Sequence, residues 1–168
     1  MAIRLDPKYA KAYYSRGSIY LQKNQIKQAL DSFNQAIDLN PKYAEPYHSR
    51  ALLKEGQGDI DGAIQDYNAV ILMNPKSAES YSSRGYLKHK KRLFSDALTD
   101  LNKGVQLNPE YVMSYFLRAQ LLKEMQREPE AKKDFKEFLI RTRTLNGSDI
   151  SFLRQNILAI YPEFQNIK

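Results

Sequence analysis

The stretch AKAYYSRGSIYLQKNQIKQALDSFNQAIDLNPKY, residues 10–43, decides the fold once it is laid over AEPYHSRALLKEGQGDIDGAIQDYNAVILMNPKS, residues 44–77. The two stretches are equally long, and the same residue types fall in the same columns. Working outward, prolines stand at Pro7, Pro41, Pro75 and Pro109, separated by that same length. Tyr13, Tyr47, Tyr81 and Tyr115 keep the same step, as do Arg16, Arg50, Arg84 and Arg118. So do the small residues Gly17, Ala51, Gly85 and Ala119, and the alanines Ala29, Ala63, Ala97 and Ala131. Self-similarity at such a 34-residue period marks a repeat array, in which one unit buries its apolar face only by stacking on the next.

Each unit reads as two helices. Tyr13, Gly17 and Tyr20 recur at helical spacing in the first half, and Ile26, Ala29, Phe33, Ala36 and Ile37 in the second. Asn24 and Gly58 are able to take the left-handed conformation that ends a helix. Asp6-Pro7, Asn40-Pro41, Asn74-Pro75 and Asn108-Pro109 then stop one hairpin and start the next, because proline cannot continue a helix. The expected fold is all-α, a stack of antiparallel helix hairpins.

These columns resemble the tetratricopeptide repeat family. Its unit places a large aromatic, a small residue four later, a second aromatic, an alanine, an aromatic and a proline, matched in order by Tyr13, Gly17, Tyr20, Ala29, Phe33 and Pro41. The resemblance implies a right-handed α-solenoid with repeats at 10–43, 44–77, 78–111 and 112–145, and a capping helix with a tail at 146–168. Residues 1–9 align with the end of a repeat's second helix, so the chain is expected to be a fragment of a longer array whose first repeat exposes a face. Gly147-Ser148-Asp149 is expected to cap a helix from about 149 to 161, with Ile150, Leu153, Ile157 and Ile160 on one face. Lys54 and Lys88 stand where the family has its second aromatic, Leu101 and Gly104 thin the third repeat, and Glu128-Pro129 opens the fourth repeat's second helix. These departures are expected to loosen packing locally.

In this family the first helices line a concave groove. On a helical wheel the side opposite the aromatic and small positions carries the second, fifth, ninth, twelfth and thirteenth residues of each repeat. The candidate groove residues are therefore Tyr14 and Ser18; Glu45, His48 and Leu52; Glu79, Ser82, Tyr86 and His89; and Met113, Phe116, Gln120 and Lys123. This mixture of aromatic, apolar and polar groups suits a peptide, with Tyr14, Tyr86 and Phe116 as anchors. Four first helices about 10 Å apart would offer a trough of roughly 30 Å, or about nine residues of extended chain.

The family's chaperone-tail clamp needs Lys, Asn and Arg at set places, which here hold Tyr14, Ser18, Ser49, Glu79 and Ser83, so a chaperone-tail receptor is not expected. Four arginines in register suggest a phosphate ladder, but they sit on the core side, where an unpaired charge is costly. Asp66, Asp100 and Asp134 recur with the same step, so Arg50, Arg84 and Arg118 are expected to pair with them, within a repeat or between neighbours. Ser32 breaks the acidic column in the first repeat.

The remaining signals exclude more than they assign. With no cysteine and only His48 and His89 among histidines, disulfides and zinc-thiolate sites are excluded and neither a metal site nor a cofactor is expected. No catalytic spacing or glycine-rich phosphate loop stands out, and an enzyme acting on a small-molecule substrate is not expected. No apolar run is long enough for a membrane span, and a cytoplasmic location is favoured. A scaffold for a protein or peptide partner is the leading expectation. A self-associating array, monomeric or weakly dimeric through the N-terminal repeat, is the alternative. Nucleic-acid binding driven by the +7 charge ranks lowest, since it needs Lys54, Lys88, Lys90, Lys91, Arg92 and Lys123 in one stripe.

Overall fold

The computed structural model describes residues 9–166, and every regular element among them is helical. The segment aligned with an upstream repeat lies, but for Tyr9, outside the described residues. Helices α1 (Ala10–Gln22) and α2 (Ile26–Leu39), α3 (Ala44–Gly56) and α4 (Ile60–Met73), α5 (Ala78–Lys90) and α6 (Phe94–Leu107), and α7 (Val112–Glu124) and α8 (Glu128–Arg141) form successive pairs. Helix α9 (Ser148–Ile160) and a short 3-10 turn (Pro162–Phe164) follow. The chain divides into two compact units, residues 1–80 and 81–168.

Turn chemistry repeats with the period. Between first and second helix the backbone turns left-handed at Asn24, Gly58, Arg92 and Gln126, with φ of 55°, 82°, 61° and 60°. The next residue's N–H then reaches back to an orphan helix carbonyl, as Gln25 does to Tyr20 (2.8 Å) and Arg127 to Leu122 (2.8 Å). Only Gly58 takes this conformation without a Cβ penalty. At the other end of the hairpin the side chains of Asn40, Asn74 and Asn108 accept from the N–H groups of Lys42, Lys76 and Glu110, at 3.1, 3.3 and 3.0 Å. This local bond explains the Asn-Pro pairs, since asparagine bonds its own backbone two residues on.

In the first unit the hairpins close by a small residue meeting a large one. A Cβ on Gly17 would lie 2.5 Å from the Phe33 ring, so the first helix reaches the second only because that position is bare. Phe33, Ala29 and Leu53 form a buried cluster that Tyr14, Tyr20, Ile26 and Leu30 surround. Leu53 is the tenth residue of its repeat and packs onto the preceding hairpin. Ile19, its counterpart one repeat earlier, is 52% exposed.

In the second unit a Cβ on Gly85 would come 2.8 Å from Leu101, which is buried with Ala97 and Leu121. The largest cluster joins Tyr115, Phe116, Phe135 and Phe138 to Ile157 of α9 and to Tyr161 and Phe164 beyond it. Helix α9 begins one residue earlier than the sequence suggests, and the expected side-chain cap is not formed. Gly147 is the N-cap, and the Ser148 hydroxyl bonds to Asp149 instead of to the helix. Its apolar residues are also split, because Ile157 is buried whereas Ile160 is 51% exposed.

Register explains that split. The other first helices start at Ala10, Ala44, Ala78 and Val112, one constant step apart, but Ser148 falls two positions beyond the next step. Counted from Ser148, Ile157 is the tenth residue, like Leu53 and Leu121, and Arg154 is the seventh, like Arg118. Helix α9 is thus a fifth first helix, followed by a 3-10 turn where a second helix would stand.

The arginine column is resolved at atomic level. Arg50 donates to Asp66 at 2.8 and 2.6 Å, Arg84 to Asp100 at 2.8 and 2.6 Å, and Arg118 to Asp134 at 2.6 and 2.7 Å. Each pair lies within one repeat, while Arg50 also donates to Asn34 (2.6 Å) and Arg118 to Asn102 (2.9 Å) of the preceding repeat. Arg16 donates to Ser32 (3.0 Å), which passes a bond to the Gln28 carbonyl (2.7 Å). Arg154 donates to the Leu139 carbonyl (3.1 Å) and the Thr142 hydroxyl (3.2 Å). Lys54 and Lys88 do not loosen the packing as expected. They place a second cation on the same carboxylates, Asp66 at 2.9 Å and Asp100 at 2.8 Å. Nor does Leu101 leave a gap, since it is fully buried against Gly85.

Removing a buried carboxylate strands its arginine. Asp100→Ala should therefore lower stability by about 3–5 kcal/mol, against about 1 kcal/mol for Ser32→Ala, where only a neutral partner is lost. Denaturant unfolding followed by circular dichroism measures both. Conversely, Gln126→Gly should raise stability by about 1 kcal/mol, because it relieves a left-handed residue that carries a Cβ.

Candidate functional site

The groove positions fall into two sets, one in each unit. In the first unit Tyr14, Glu45, His48 and Glu79 line a hollow of about 380 Å³, together with Ala44, Val70, Asn74, Ser77 and Ser80. Tyr14 is half-buried, tilted against Phe33 (5.8 Å between ring centroids) and edge-on to Tyr43 (5.4 Å). Burial, and after it the nearby Glu45 carboxylate, pushes the Tyr43 phenol up to about 12. His48 Nε2 lies 3.4 Å from Glu79 Oε1, and its ring stands edge-on to buried Tyr67. That approach holds the Glu79 carboxyl below the usual range, against the opposing effect of burial. Ser18 turns inward, donating to the Tyr14 carbonyl (3.2 Å), and Leu52 is 48% exposed.

In the second unit a wider hollow of about 830 Å³ opens between α7 and α9. Phe116, Gln120, Lys123 and Glu124 line it from α7, Phe135 from α8, and Phe152, Leu153, Asn156, Ile157, Ala159 and Ile160 from α9. His89 bonds Glu124 (2.6 Å) and Arg92 approaches the same carboxylate (3.4 Å). The contact with His89, and next Arg92, holds the Glu124 carboxyl below the usual range. Tyr86 is half-buried beneath Lys90, whose Nζ is 5.2 Å from the ring centroid. Lys123 is exposed and stands 5.6 Å from the centroid of Tyr161. The Tyr161 phenol is pushed up to about 12, first by burial and then by donating to Glu128 (2.7 Å).

Two expected groove residues turn out to be internal. Ser82 is fully buried and shares a 2.7 Å bond with Ser114, a pairing of two small hydroxyls that lets α5 and α7 approach. Phe116 is only 7% exposed, held between Phe135 and Phe138, so it forms the floor of the hollow and not a free anchor. Met113 is half-buried against the same cluster. The helical wheel gives only the direction of each side chain around its helix. It could not show how closely neighbouring first helices sit at the fifth position.

The residues from α9 escaped the reading for a different reason. A strict 34-residue count puts that helix out of register. Counted from Ser148, Phe152, Asn156, Ala159 and Ile160 are its fifth, ninth, twelfth and thirteenth residues, the groove positions. Arg154 in the arginine column was the available signal.

No group of three or more histidines or carboxylates able to hold a metal occurs among the described residues. No described helix is long and apolar enough to cross a membrane. With Lys54 and Lys88 tied to Asp66 and Asp100, the basic stripe that nucleic-acid binding would need loses two of its members.

The family profiles for the tetratricopeptide repeat match residues 10–43 and 48–112. No curated protein sequence matches the chain. Among solved structures, MamA is similar over 84% of this chain and 83% of its own, with TM-score 0.77 at 19% identity. PilF of Pseudomonas aeruginosa is similar over 94% and 71%, with TM-score 0.76 at 19% identity. YrrB, described as a repeat protein of this kind with an unusual peptide-binding site, is similar over 92% and 78%, with TM-score 0.74 at 15% identity.

The lowered glutamates have a testable consequence. A carboxyl whose folded value lies below its unfolded one stabilises the fold fully above the unfolded value, and that contribution fades as pH falls through the folded value. NMR titration should therefore find Glu79 and Glu124 midpoints below ordinary glutamate, with His48→Phe restoring the first and His89→Phe the second. Unchanged midpoints in these variants would remove the histidines as the cause.

Proposed function

The chain belongs to the tetratricopeptide repeat family and is a protein-interaction scaffold, and on that footing we propose that it holds a segment of a partner protein against the groove positions of its first helices. The observation that carries this reading is the exposure of large apolar groups at those positions. Leu52 faces solvent in the first unit, and in the second Phe152 and Ile160 face solvent along a hollow that also offers polar groups. Bulky apolar side chains at the edge of a concavity are what a partner's side chains bury on binding. The chain then acts by binding, without catalytic residues, cofactor or metal, and its ligand is a polypeptide. The peptide-binding site named for YrrB agrees with this reading.

Self-association is a second reading, supported by Tyr9 and exposed Ile19 on the face that later repeats use for stacking. Light scattering of the chain at rising concentration separates the two, since a persistent monomer removes self-association.

Photo-crosslinking tests the groove directly. A photoreactive phenylalanine analogue is placed at Leu52, at Tyr86 or at Leu72, which is highly exposed on a second helix. Adducts with the same partner protein from Leu52 and Tyr86 but not from Leu72 are the expected result. Adducts from Leu72 alone would move binding away from the groove.

A further inference from the structure

The hollow between α7 and α9 has a chemistry of its own, and the following rests on the groove reading above. Its floor is apolar, made by Phe116, Phe135 and Ile157, and Phe152 stands at its rim 61% exposed. At about 830 Å³ it has the size of a pocket that encloses several side chains, since ligand pockets run to roughly 300–1,000 Å³.

The charge around this floor is unbalanced. Glu124 is occupied by His89 and Arg92. Lys123, beside it, has no carboxylate partner among the described residues and meets only the Tyr161 ring. The polar group left to be matched is therefore a cation. Gln120 and Asn156, both ninth residues of their helices, contribute exposed amides that hydrogen-bond to nothing else described. A helix has no free backbone groups for such amides, whereas an extended strand has them at every residue.

We infer that this hollow receives an extended, acidic segment of a partner protein. Two bulky apolar side chains of that segment, alternate along it, enter the hollow, and one Asp or Glu pairs with Lys123. Alternate residues of a strand share a face, so the two apolar groups enter together while the backbone lies between Gln120 and Asn156. The pocket assigned here is built by α9, and it is Lys123 that selects the charge.

A display library of random 12-residue peptides, panned on the intact chain, tests this. Enriched peptides are synthesised with a dye, and their affinity is read by fluorescence anisotropy. The expected outcome is a pattern of two bulky apolar residues separated by one, with an acidic residue nearby. Ile160→Glu and Lys123→Glu should each weaken binding by about ten-fold or more, and Lys123→Arg should stay within about three-fold of the parent. Changing the peptide's acid to its amide should cost affinity on the parent chain but not on Lys123→Met, which shows that the two groups act together. If that amide change costs the same on both chains, Lys123 does not read the acid and the inference falls. If the peptides bind but only Leu52→Glu or Tyr86→Glu weakens them, the hollow is not the site, while the groove reading survives. If no peptide binds, both fall. A concentration-dependent dimer that Ile160→Glu abolishes would assign the hollow to a second copy of the chain and overturn the inference as well.

Discussion

Everything in this protein depends on how closely the two helices of a hairpin approach. The eighth residue of α1, α3, α5 and α7 is glycine or alanine, and where it is glycine a large side chain stands against it, Phe33 against Gly17 and Leu101 against Gly85. Interiors pack at crystal-like density, so this fit fixes the spacing of the pair and, with it, the face left over for the next hairpin. Leu53 and Leu121 at the tenth position use that face, each buried in a cluster with the preceding second helix. A side chain at Gly17 would displace the Phe33 ring, around which the first unit's cluster is built. The period of the array follows from this contact, because every other column is counted from it.

The close approach brings a charge with it. An arginine one residue before the small position is drawn to the hairpin edge and needs an acceptor there. Asp66, Asp100 and Asp134 supply a two-pronged one, whose geometry matches the guanidinium fork. The lysines at the eleventh position belong to the same arrangement. Repeats two and three carry both Lys and Asp, and the lysine reaches the carboxylate. Repeat one has Tyr20 with Ser32, neutral at both places, and Arg16 is content with a hydroxyl. Residues that look like losses of an aromatic are, in the folded chain, gains of an ion pair.

Most of the fold was legible because it is written as a period. The hairpins, their turns and the aspartates needed only columns at one constant step, which a sequence displays directly. What a column does not carry is depth. Ser82 and Phe116 share a position with Tyr14 and His48, yet the first two are buried and the others half-buried. The outcome at that position depends on side-chain volume. Ser82 vanishes into a bond with Ser114, Phe116 sinks between two phenylalanines, and His48 stays high enough to meet Glu79. Polar contacts between successive first helices, such as His89 with Glu124, were illegible for a related reason. His89 and Glu124 stand at the twelfth and thirteenth positions of different repeats, His48 and Glu79 at the fifth and second, and a column compares only like positions.

Helix α9 shows what a broken period hides. Two extra residues before it carry the chain past the point where a 34-residue count predicts the next first helix. Its sequence then looks like a plain amphipathic cap, with the aromatic Phe152 off its apolar face. Restoring the register removes the anomaly. Arg154 reaches back to the preceding hairpin, Ile157 stacks on it, and Phe152 and Ile160 take groove positions. A helix that only closed an array would be expected to turn a polar outer face to water. What the structure shows for α9 is apolar groups at the groove positions, around a hollow of about 830 Å³. The two-residue shift therefore accounts both for the burial of Ile157 and for the exposure of Phe152 and Ile160.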